Sequence, residues 1–319
     1  MKNSSSPVDP LAIGIEIGGT KTQVGIGSSS GVLLPAGVLQ KRVVPENGAQ
    51  GIRKDLVSMV EEKLGGNHLK LADITKIGIG FGGPVDTNSG IILKSYQVDG
   101  WDHFPLKEWA EKQWGKPAFI QNDANAAGLA ESLHGNGRGY SRVFYMTLGS
   151  GIGGGWIVDG KIDNGQGLGA AEIGHTWVPD PVEGEPVELE QICSGWAIGR
   201  RARLAASKQK TLMIDLAGIV DRIDSKVVYA AAERGDEIAN RILTETCQTL
   251  GLAISNVVAL LHPERIILGG GVSLMGPLFW DRLRESAKSK MMPAFAAGVE
   301  IVPAKLKENV VVIGALCLE

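Results

Sequence analysis

Two stretches of this 319-residue chain share one pattern, in which an apolar strand, a glycine turn and a second strand are followed later by a strand-to-helix unit. The first is built around Gly18 and the second around Gly151, about 130 residues further on. A supersecondary pattern that recurs at a long spacing predicts two halves of similar construction. Each half would present its glycine turn to a shared cleft, so the pattern favours a two-domain α/β protein.

The middle of the chain carries a polar junction between two regular elements. Residues 117 to 121 are predicted to form a strand and residues 124 to 133 a helix. Asn122 and Asp123 lie between them, where side chains project from the end of a sheet. Two compatible roles are open for Asp123, an acid/base residue or only the cap of the helix.

Glycine turns flank this junction on both sides. Because glycine has no Cβ, the backbone N–H groups of such turns can approach phosphate oxygens. Steric closure of a hairpin would explain any single turn equally well, but several turns around one carboxylate favour a phosphate site. The candidate phosphate-binding residues are Gly18, Gly19, Thr20, Lys21, Thr147, Gly149, Ser150, Gly151, Gly269, Gly270 and Gly271.

Two segments match the GxGxxG spacing, residues 78 to 83 and residues 149 to 154. That spacing indicates a dinucleotide site only where a helix follows the turn. Here a Gly-Pro loop follows the first segment, and a hairpin around Asp159 and Gly160 follows the second. No GxxxxGK[ST] motif occurs, so the sequence excludes both a Rossmann NAD site and a Walker-type loop.

A third group of polar residues is Glu172, His175 and Glu190. Glu172 and His175 are three residues apart, so on a helical turn they share one face. Two carboxylates and an imidazole could bind several hydroxyls of one polyol, because an unmatched buried polar group costs roughly 1–3 kcal/mol. A lone Glu-x-x-His more often lies on the surface without a function, and no cysteine in the following loop could complete a tetrahedral metal site.

Composition narrows the functional classes. The formal net charge of −3 gives no indication of a nucleic-acid partner. Three scattered cysteines without a CxxC favour a reducing cytoplasm over a disulfide framework. The first residues lack the apolar core of a signal peptide, and the longest apolar run, residues 310 to 318, is too short to span a bilayer. We therefore expect a cytoplasmic protein without membrane or nucleic-acid partners.

Apolar spacing predicts helices at 52 to 64, 106 to 114, 237 to 262 and 279 to 290, with Pro263 ending the third. Residues 1 to 10 are expected to be a frayed tail, and residues 87 to 105 and 176 to 189 to be loops.

Together these segments resemble one family. The motifs Ile13–Lys21, Asn122–Asn125, Leu148–Gly154, Gly169–His175 and Ile267–Val272 stand in the order found in ROK sugar kinases. The resemblance runs from about residue 11 to residue 318. It implies an actin-like, ribonuclease-H-like two-domain fold, with ATP and Mg²⁺ in the cleft between the domains and usually a homodimer. It also implies a small N-terminal domain, residues 11 to 121, completed by a C-terminal helix at 308 to 319, and a larger domain, residues 122 to 307.

The resemblance also implies roles for individual residues. Asp123 resembles the catalytic base, and the glycine turns resemble the phosphate and adenosine loops. Glu190 is expected among the sugar-binding residues because the segment Glu190–Gly195 resembles the family's Glu-x-x-x-Ser-Gly. The residues expected to contact the hexose are Gly83, Asn122, Asp123, Glu172, His175 and Glu190.

Four departures from the family pattern stand out. Many members carry a Cys-x-Cys-x4-Cys cluster that binds structural zinc after the histidine, whereas residues 176 to 189 here contain no cysteine. Zinc is therefore not expected, and His175 should serve only the sugar. Glu16 stands at a position where Asp is commoner in the family, and we expect it near the Mg²⁺ that accompanies ATP. Gly82 replaces a common proline, and Gln97 stands where many members have Asn.

The expected activity is ATP-dependent phosphorylation of a hexose on its primary hydroxyl, and glucose is the substrate that we expect first. Fructose, mannose and N-acetylhexosamines stay open as alternatives. A sugar-responsive repressor would need a DNA-binding domain, and only about ten residues precede the first strand. A filament-forming relative of actin would keep the nucleotide turns but would have no need of Glu172, His175 and Glu190.

Overall fold

The computed structural model describes residues 9 to 319, so most of the predicted N-terminal tail lies outside the described range. Its strands are β1 Leu11–Ile17, β2 Lys21–Ser28, β3 Leu33–Arg42, β4 Ile74–Phe81, β5 Val85–Asp86, β6 Ile91–Ile92, β7 Phe104–Pro105, β8 Ala118–Asn122, β9 Arg142–Leu148, β10 Ile152–Val158, β11 Lys161–Ile162, β12 Trp177–Pro179, β13 Pro186–Glu188, β14 Arg265–Gly269 and β15 Glu300–Pro303.

Helices occur among these strands, with five of them in succession between β13 and β14. The helices are α1 Gly48–Gly66, α2 Leu106–Trp114, α3 Asp123–His134, α4 Leu189–Cys193, α5 Gly195–Ala206, α6 Leu212–Ala217, α7 Ser225–Glu233, α8 Glu237–Leu261, α9 Pro277–Lys290, α10 Pro293–Ala296 and α11 Val310–Cys317. Among residues 9 to 319, none of the helices combines the length and the apolar character needed to cross a membrane.

Two five-stranded sheets have the same kind of strand order. The first runs β3-β2-β1-β4-β8 and the second β11-β10-β9-β14-β15. In the first sheet β1 pairs antiparallel with β2 and parallel with β4, and β4 pairs parallel with β8. In the second, β14 pairs parallel with both β9 and β15. The recurrence of strand, glycine turn and strand in the sequence therefore reflects two sheets of similar construction.

The chain divides into two compact units. The first contains the described chain up to Gly139, Gly155–Ala170 and Leu306–Glu319, and the second contains Tyr140–Gly154 and Ala171–Lys305. This division differs from the boundary at residue 121 that the sequence predicts. The difference has a physical reason, because α3 packs against α11 and against β4 and β8 and so stays with the first sheet.

Helix α11 packs so closely against the first sheet that its carbonyl oxygens contact glycines of the strands. Its Ala315 carbonyl oxygen would stand only 1.7 Å from a Cβ added at Gly78 in β4, and its Val312 oxygen 2.5 Å from one added at Gly14 in β1. On its other side, a Cβ at Gly314 would approach the Ala126 oxygen of α3 to 1.8 Å. Glycine at these positions is a packing requirement, since every other side chain would push α11 off the sheet or off α3.

Three segments differ from the sequence expectation. The predicted loop at 87 to 105 includes the short strands β6 and β7, and its Trp101 is buried between Phe81 and Phe104 at centroid distances of 5.3 and 5.4 Å. The predicted loop at 176 to 189 contains the β12–β13 hairpin. Strand β10 already begins at Ile152, so the last glycines of the run 149 to 155 are strand residues.

The hairpin predicted around Asp159 and Gly160 is confirmed. Val158 pairs with Lys161 across the turn, and both turn residues have positive φ, 49° at Asp159 and 74° at Gly160. Paired left-handed residues are the geometry that a two-residue hairpin requires.

The packing of α11 gives a prediction for stability. Gly78→Ala should lower the free energy of unfolding by about 3 kcal/mol or more, because the added methyl meets a backbone carbonyl that cannot rotate away. Gly65→Ala in α1 is the matched control, since a Cβ there meets nothing within 4 Å. It should be neutral or stabilise by up to about 1 kcal/mol. Urea unfolding of the two variants checks this, and equal stabilities would contradict the packing described.

Candidate functional site

The carboxyl ends of three parallel strands meet in the first unit. Ile17 of β1 pairs with Phe81 of β4, and Phe81 pairs with Asn122 of β8. The residues that follow, Gly18, Gly82 and Asp123, are therefore neighbours. A Cβ at Gly82 would lie 3.3 Å from an Asp123 carboxylate oxygen and 3.6 Å from the Gly18 Cα. The carboxyl edge of a parallel sheet is where α/β proteins place their ligands, and here it holds one acid beside a glycine turn.

Asn122 anchors the start of α3. Its side-chain oxygen accepts hydrogen bonds from the N–H groups of Ala124 and Asn125, at 2.9 and 3.2 Å. Its Nδ2 donates to the Gly83 carbonyl oxygen at 3.1 Å. Asn122 is thus the N-cap and Asp123 the first helical residue. The cap role that the sequence left open for Asp123 belongs to its neighbour, and Asn122 also ties predicted sugar-contact residue Gly83 to α3.

A second layer of amides supports this junction. Gln121, buried in β8, receives hydrogen bonds on Oε1 from the Asn122 N–H at 2.8 Å and from Asn125 Nδ2 at 3.3 Å. Its own Nε2 donates to the Asn164 side chain at 3.0 Å. Neither Gln121 nor Asn164 is among the site residues predicted from the sequence. A polar residue inside an apolar strand was the available signal for Gln121, whereas nothing local pointed to Asn164.

Glu16 brings a buried carboxyl group to the same edge. Its Oε2 lies 3.6 Å from Lys21 Nζ, and the side chain is about one tenth exposed. Desolvation by burial raises the pKa of Glu16 from 4.5 to about 7; Lys21 opposes this, and the charges of Asp123 and Glu308 add to it. Glu16 Oε2 has no hydrogen-bond partner among the described residues. A buried carboxylate oxygen of this kind suits Mg²⁺ or its bound water.

The Gly18 turn is covered by Gln97. A Cβ at Gly19 would fall 1.3 Å from Gln97 Oε1 and 2.3 Å from its Cδ, so the glutamine amide rests directly on the turn. The Gly18 N–H donates to the Lys21 carbonyl oxygen at 3.0 Å and closes the turn itself. The amides of Gly19 and Thr20 and the ammonium of Lys21 are therefore the phosphate-binding candidates on this side.

In the second unit, two glycine turns stand at adjacent strand ends. Thr147 of β9 pairs with Gly269 of β14, so the turns that follow are neighbours. Gly270 has φ of 81°, and a Cβ there would be 2.5 Å from the Leu148 carbonyl. The Gly149 N–H donates to the Gly151 oxygen at 2.9 Å. This leaves Ser150, Gly151 and Gly271 as the candidate donors of the two turns.

Glu190 lies against the Gly149–Gly151 turn. Its Oε2 accepts a hydrogen bond from the Ile152 N–H at 2.7 Å, and a Cβ at Gly151 would meet the same oxygen at 2.4 Å. The glycine therefore lets the carboxylate reach the backbone. The structure joins two residues that the sequence assigned to different substrates, Glu190 to the sugar and Gly151 to phosphate.

Glu172 lies near enough to both His175 and Glu190 for their charges to affect it. Desolvation is the main cause of a raised pKa of the Glu172 carboxyl, even though the residue reaches solvent; His175 opposes the rise, and Glu190 adds to it. Ile173–His175 forms one 3-10 turn, with Glu172 as the residue that precedes it. His175 Nδ1 also lies 3.2 Å from Glu188 Oε1. The sequence does not predict this contact, because the hairpin pairing that produces it has no local pattern.

The predicted site residues thus form two groups, one in each unit. Asn122, Asp123, Gly83, Glu16 and the Gly18–Lys21 turn belong to the first. The second holds Thr147, the Gly149–Gly151 turn, Glu172, His175, Glu190 and the Gly269–Gly271 turn. Within residues 9 to 319, no three His, Cys, Asp or Glu side chains are grouped so that they could hold a metal ion.

Comparison with known proteins gives the family. The ROK family model matches residues 12–319. The chain belongs to the ROK family. This ROK protein is 32% identical over 308 residues to a glucokinase of Thermotoga maritima, and the match covers 95% of each chain. The resemblance seen in the sequence motifs, and the prediction of a sugar kinase drawn from it, are confirmed at the level of the family.

Solved structures agree with this assignment. A ROK family glucokinase from Streptomyces griseus, in complex with glucose and AMPPNP, matches with 32% identity and a TM-score of 0.78, covering 96% of this chain and 98% of its own. A ROK hexokinase from Thermus thermophilus matches with 25% identity and a TM-score of 0.79, covering 96% and 97%. The predicted actin-like α/β fold is confirmed by these matches.

The cap at Asn122 gives a prediction for this ROK protein. Asn122→Ala removes the acceptor of two helix N–H groups and should lower the free energy of unfolding by about 1–2 kcal/mol. Asn122→Ser restores a capping oxygen and should recover most of that loss. Urea unfolding monitored by circular dichroism compares the two. If the serine variant is as unstable as the alanine variant, the cap is not the source of the loss.

Burial of Glu16 gives a prediction for pH dependence. Since its folded pKa of about 7 exceeds the ordinary 4.5, the unfolded chain releases this proton first, and stability is lost as pH rises from about 4.5 through 7. Glu16 should account for roughly 3 kcal/mol of that loss. Glu16→Gln should remove this part of the decline when unfolding is followed at several pH values without nucleotide or metal. Identical pH profiles for the variant and the wild type would contradict the described burial.

Proposed function

We propose that this ROK protein transfers the γ-phosphate of ATP to the primary hydroxyl of a hexose, with glucose as the first substrate. The observation that carries the proposal is Asp123, held at the end of β8 by the Asn122 cap and adjacent to the Gly18 turn and Gly82. A carboxylate fixed beside a glycine turn suits a reaction between an alcohol and a phosphate.

Asp123 is the proposed catalytic base. Phosphoryl transfer has a loose transition state, so catalysis consists mainly of positioning and charge stabilisation. A carboxylate is a weak base, but a weak base suffices when the proton leaves late. Asp123 would orient the hydroxyl oxygen and accept its proton, and α3 would hold the carboxylate in place through the network around Asn122 and Gln121.

The nucleotide would be bound by backbone amides and one cation. The glycine turns leave room for phosphate oxygens, since a Cβ at Gly271 meets nothing within 4 Å and one at Gly149 meets only the Gly151 oxygen, at 3.8 Å. Gly19, Thr20, Lys21, Ser150 and Gly151 are the proposed phosphate ligands, and Gly269 to Gly271 the adenosine-side turn. Mg²⁺ would travel with the nucleotide and neutralise phosphate charge, and Glu16 would hold its water shell.

The hexose would be recognised by Glu172, His175 and Glu190, together with Gly83 and Asn122. The three side chains offer both donors and acceptors to neighbouring hydroxyls. The Ile152 N–H holds Glu190 Oε2, so this carboxylate is oriented before the sugar binds. Pre-oriented polar groups reject sugars whose hydroxyls do not match, because the unmatched group is left without a partner.

The sugar itself is tested by one coupled assay. ATP consumption is measured with glucose, fructose, mannose, N-acetylglucosamine, N-acetylmannosamine and galactose as substrates. The highest kcat/KM is expected for glucose. Preference for fructose, mannose or an N-acetylhexosamine would replace glucose within the same proposal, whereas no sugar-dependent ATP consumption would reject it.

Two further parts belong to this proposal. We place the enzyme in the cytoplasm, where ATP is supplied, and we propose a homodimer. Light scattering after size-exclusion chromatography measures the mass directly, for comparison with the 33.7 kDa of one chain.

Asp123→Asn is the decisive variant. It keeps the side-chain size but removes the proton acceptor, so kcat should fall roughly 10²–10⁴-fold while sugar binding measured by calorimetry is retained. Asp55→Asn, which breaks a surface ion pair with Lys41 in the same unit, is the control and should leave kcat unchanged. Near-normal turnover in Asp123→Asn would refute the role of the carboxylate.

A further inference from the structure

The β12–β13 hairpin that follows His175 is held by its own backbone. Trp177 pairs with Glu188, Val178 with Val187 and Pro179 with Pro186. The Leu189 N–H donates to the Thr176 carbonyl oxygen at 2.9 Å, next to the open end of the hairpin.

The tip of the hairpin is closed by Asp180. Its Oδ1 accepts hydrogen bonds from the N–H groups of Val182 and Glu183, at 2.7 and 3.0 Å, and its own N–H donates to the Glu185 carbonyl oxygen at 2.8 Å. Val178, in the first strand of the hairpin, has a buried side chain. The segment between His175 and Glu190 therefore has a defined structure built from a ladder, a turn and one apolar contact.

This hairpin brings Glu188 to His175. Glu188 Oε1 lies 3.2 Å from His175 Nδ1, and Glu188 Oε2 accepts a hydrogen bond from Gln191 Nε2, also at 3.2 Å. Both carboxylate oxygens are thus engaged, which fixes the carboxylate between the imidazole and α4. The side chains of His175 and Glu188 are 53% and 31% exposed, and an ion pair this exposed adds little stability. The contact can, however, hold the imidazole in one orientation.

The chemistry of the pair determines which ring nitrogen carries hydrogen. An ionised carboxylate only accepts hydrogen bonds, so Nδ1 of a neutral His175 must be the protonated nitrogen. Nε2 then carries a lone pair and can accept a hydrogen bond from an alcohol. Partners of one ring nitrogen fix the role of the other in this way.

We propose that Glu188 is a positioning residue for sugar recognition, which holds the imidazole of His175 as the Nδ1–H tautomer so that Nε2 accepts a hydrogen bond from a hexose hydroxyl. This inference rests on the proposed hexose kinase function, and it specifies how one of the side chains that bind the sugar is oriented. Glu188 itself contacts the histidine and Gln191 and acts through them.

The experiment uses the full-length protein labelled with ¹⁵N-histidine. The chain has five histidines, and His175→Gln identifies the signals of His175. Long-range ¹H–¹⁵N spectra recorded at a pH of about 9, where an ordinary imidazole is neutral, distinguish the two tautomers. The wild type should show hydrogen on Nδ1, and Glu188→Ala should shift His175 towards the Nε2–H form that predominates in unperturbed histidine.

Kinetics provide the second readout. Glu188→Ala should raise the KM for glucose about five- to tenfold, the effect of one lost hydrogen bond, with kcat and the KM for ATP within about twofold. Glu185→Ala removes the same charge from the same hairpin at an exposed position and should change neither the tautomer nor any kinetic constant. Melting temperatures and backbone spectra of both variants establish that the fold is kept.

The outcomes separate this inference from the proposed function. An unchanged tautomer in Glu188→Ala, or a changed tautomer with an unchanged KM for glucose, would overturn the positioning role. An equal rise of KM in Glu185→Ala would do the same, because the effect would then be one of hairpin charge. If the tautomer shifts but the wild type phosphorylates no hexose, the kinase proposal fails while the link between Glu188 and His175 stands.

Discussion

The position of the candidate base depends on how closely α11 packs. Carbonyl oxygens of this helix press on glycines of β1 and β4, and its Gly314 lets α3 approach from the other side. Because α3 starts at Asp123, the distance between α11 and the sheet sets where that carboxylate stands relative to the Gly18 turn. Residues near the C-terminal end of the chain therefore position an acid in its middle. A methyl group at this contact would act on Asp123 through α3, without touching any residue of the site.

The same packing explains why one glycine signal was ambiguous in the sequence. Gly78 and Gly80 belong to a GxGxxG spacing, and in the structure they face α11, whereas Gly18 and Gly149 form turns. The sequence shows that a glycine has no side chain, but it does not show which neighbouring group occupies the space that a side chain would fill. The elements themselves were largely predictable, because β1 is an apolar run that ends at a glycine turn, α3 begins at a polar junction, and α8 carries a long apolar stripe that ends before Pro263. The hairpin at 177 to 188 was not, since strands of three residues with prolines at their ends offer no periodic pattern.

In the candidate site too, some features follow from the local sequence, whereas others depend on how distant strands and loops come together. The junction at Asn122 and Asp123 could be placed because a strand and a helix meet there, and the cap follows from local geometry. Which of the two residues is the cap could not be decided, since Asn and Asp serve equally well at that position. The contact of Glu190 with the Gly149–Gly151 turn, and that of Gln97 with Gly19, join residues far apart in sequence. Such contacts depend on strand order and loop path, which local patterns do not contain.

The segment after His175 illustrates how one structural task can be done by different chemistry. A metal cluster fixes a loop by a few strong bonds to side chains, and residues 176 to 189 contain no cysteine to make them. In this protein the segment is held by backbone pairing of two strands, by the turn at Asp180 and by the buried side chain of Val178. Each of these contacts is weak, but they share one hairpin and so form together. A hairpin also places side chains on its two strands at fixed distances, which lets Glu188 meet an imidazole thirteen residues earlier in the chain. Orientation of His175 is then a consequence of strand pairing, and any change that slips the register by one residue would turn Glu188 to the opposite face.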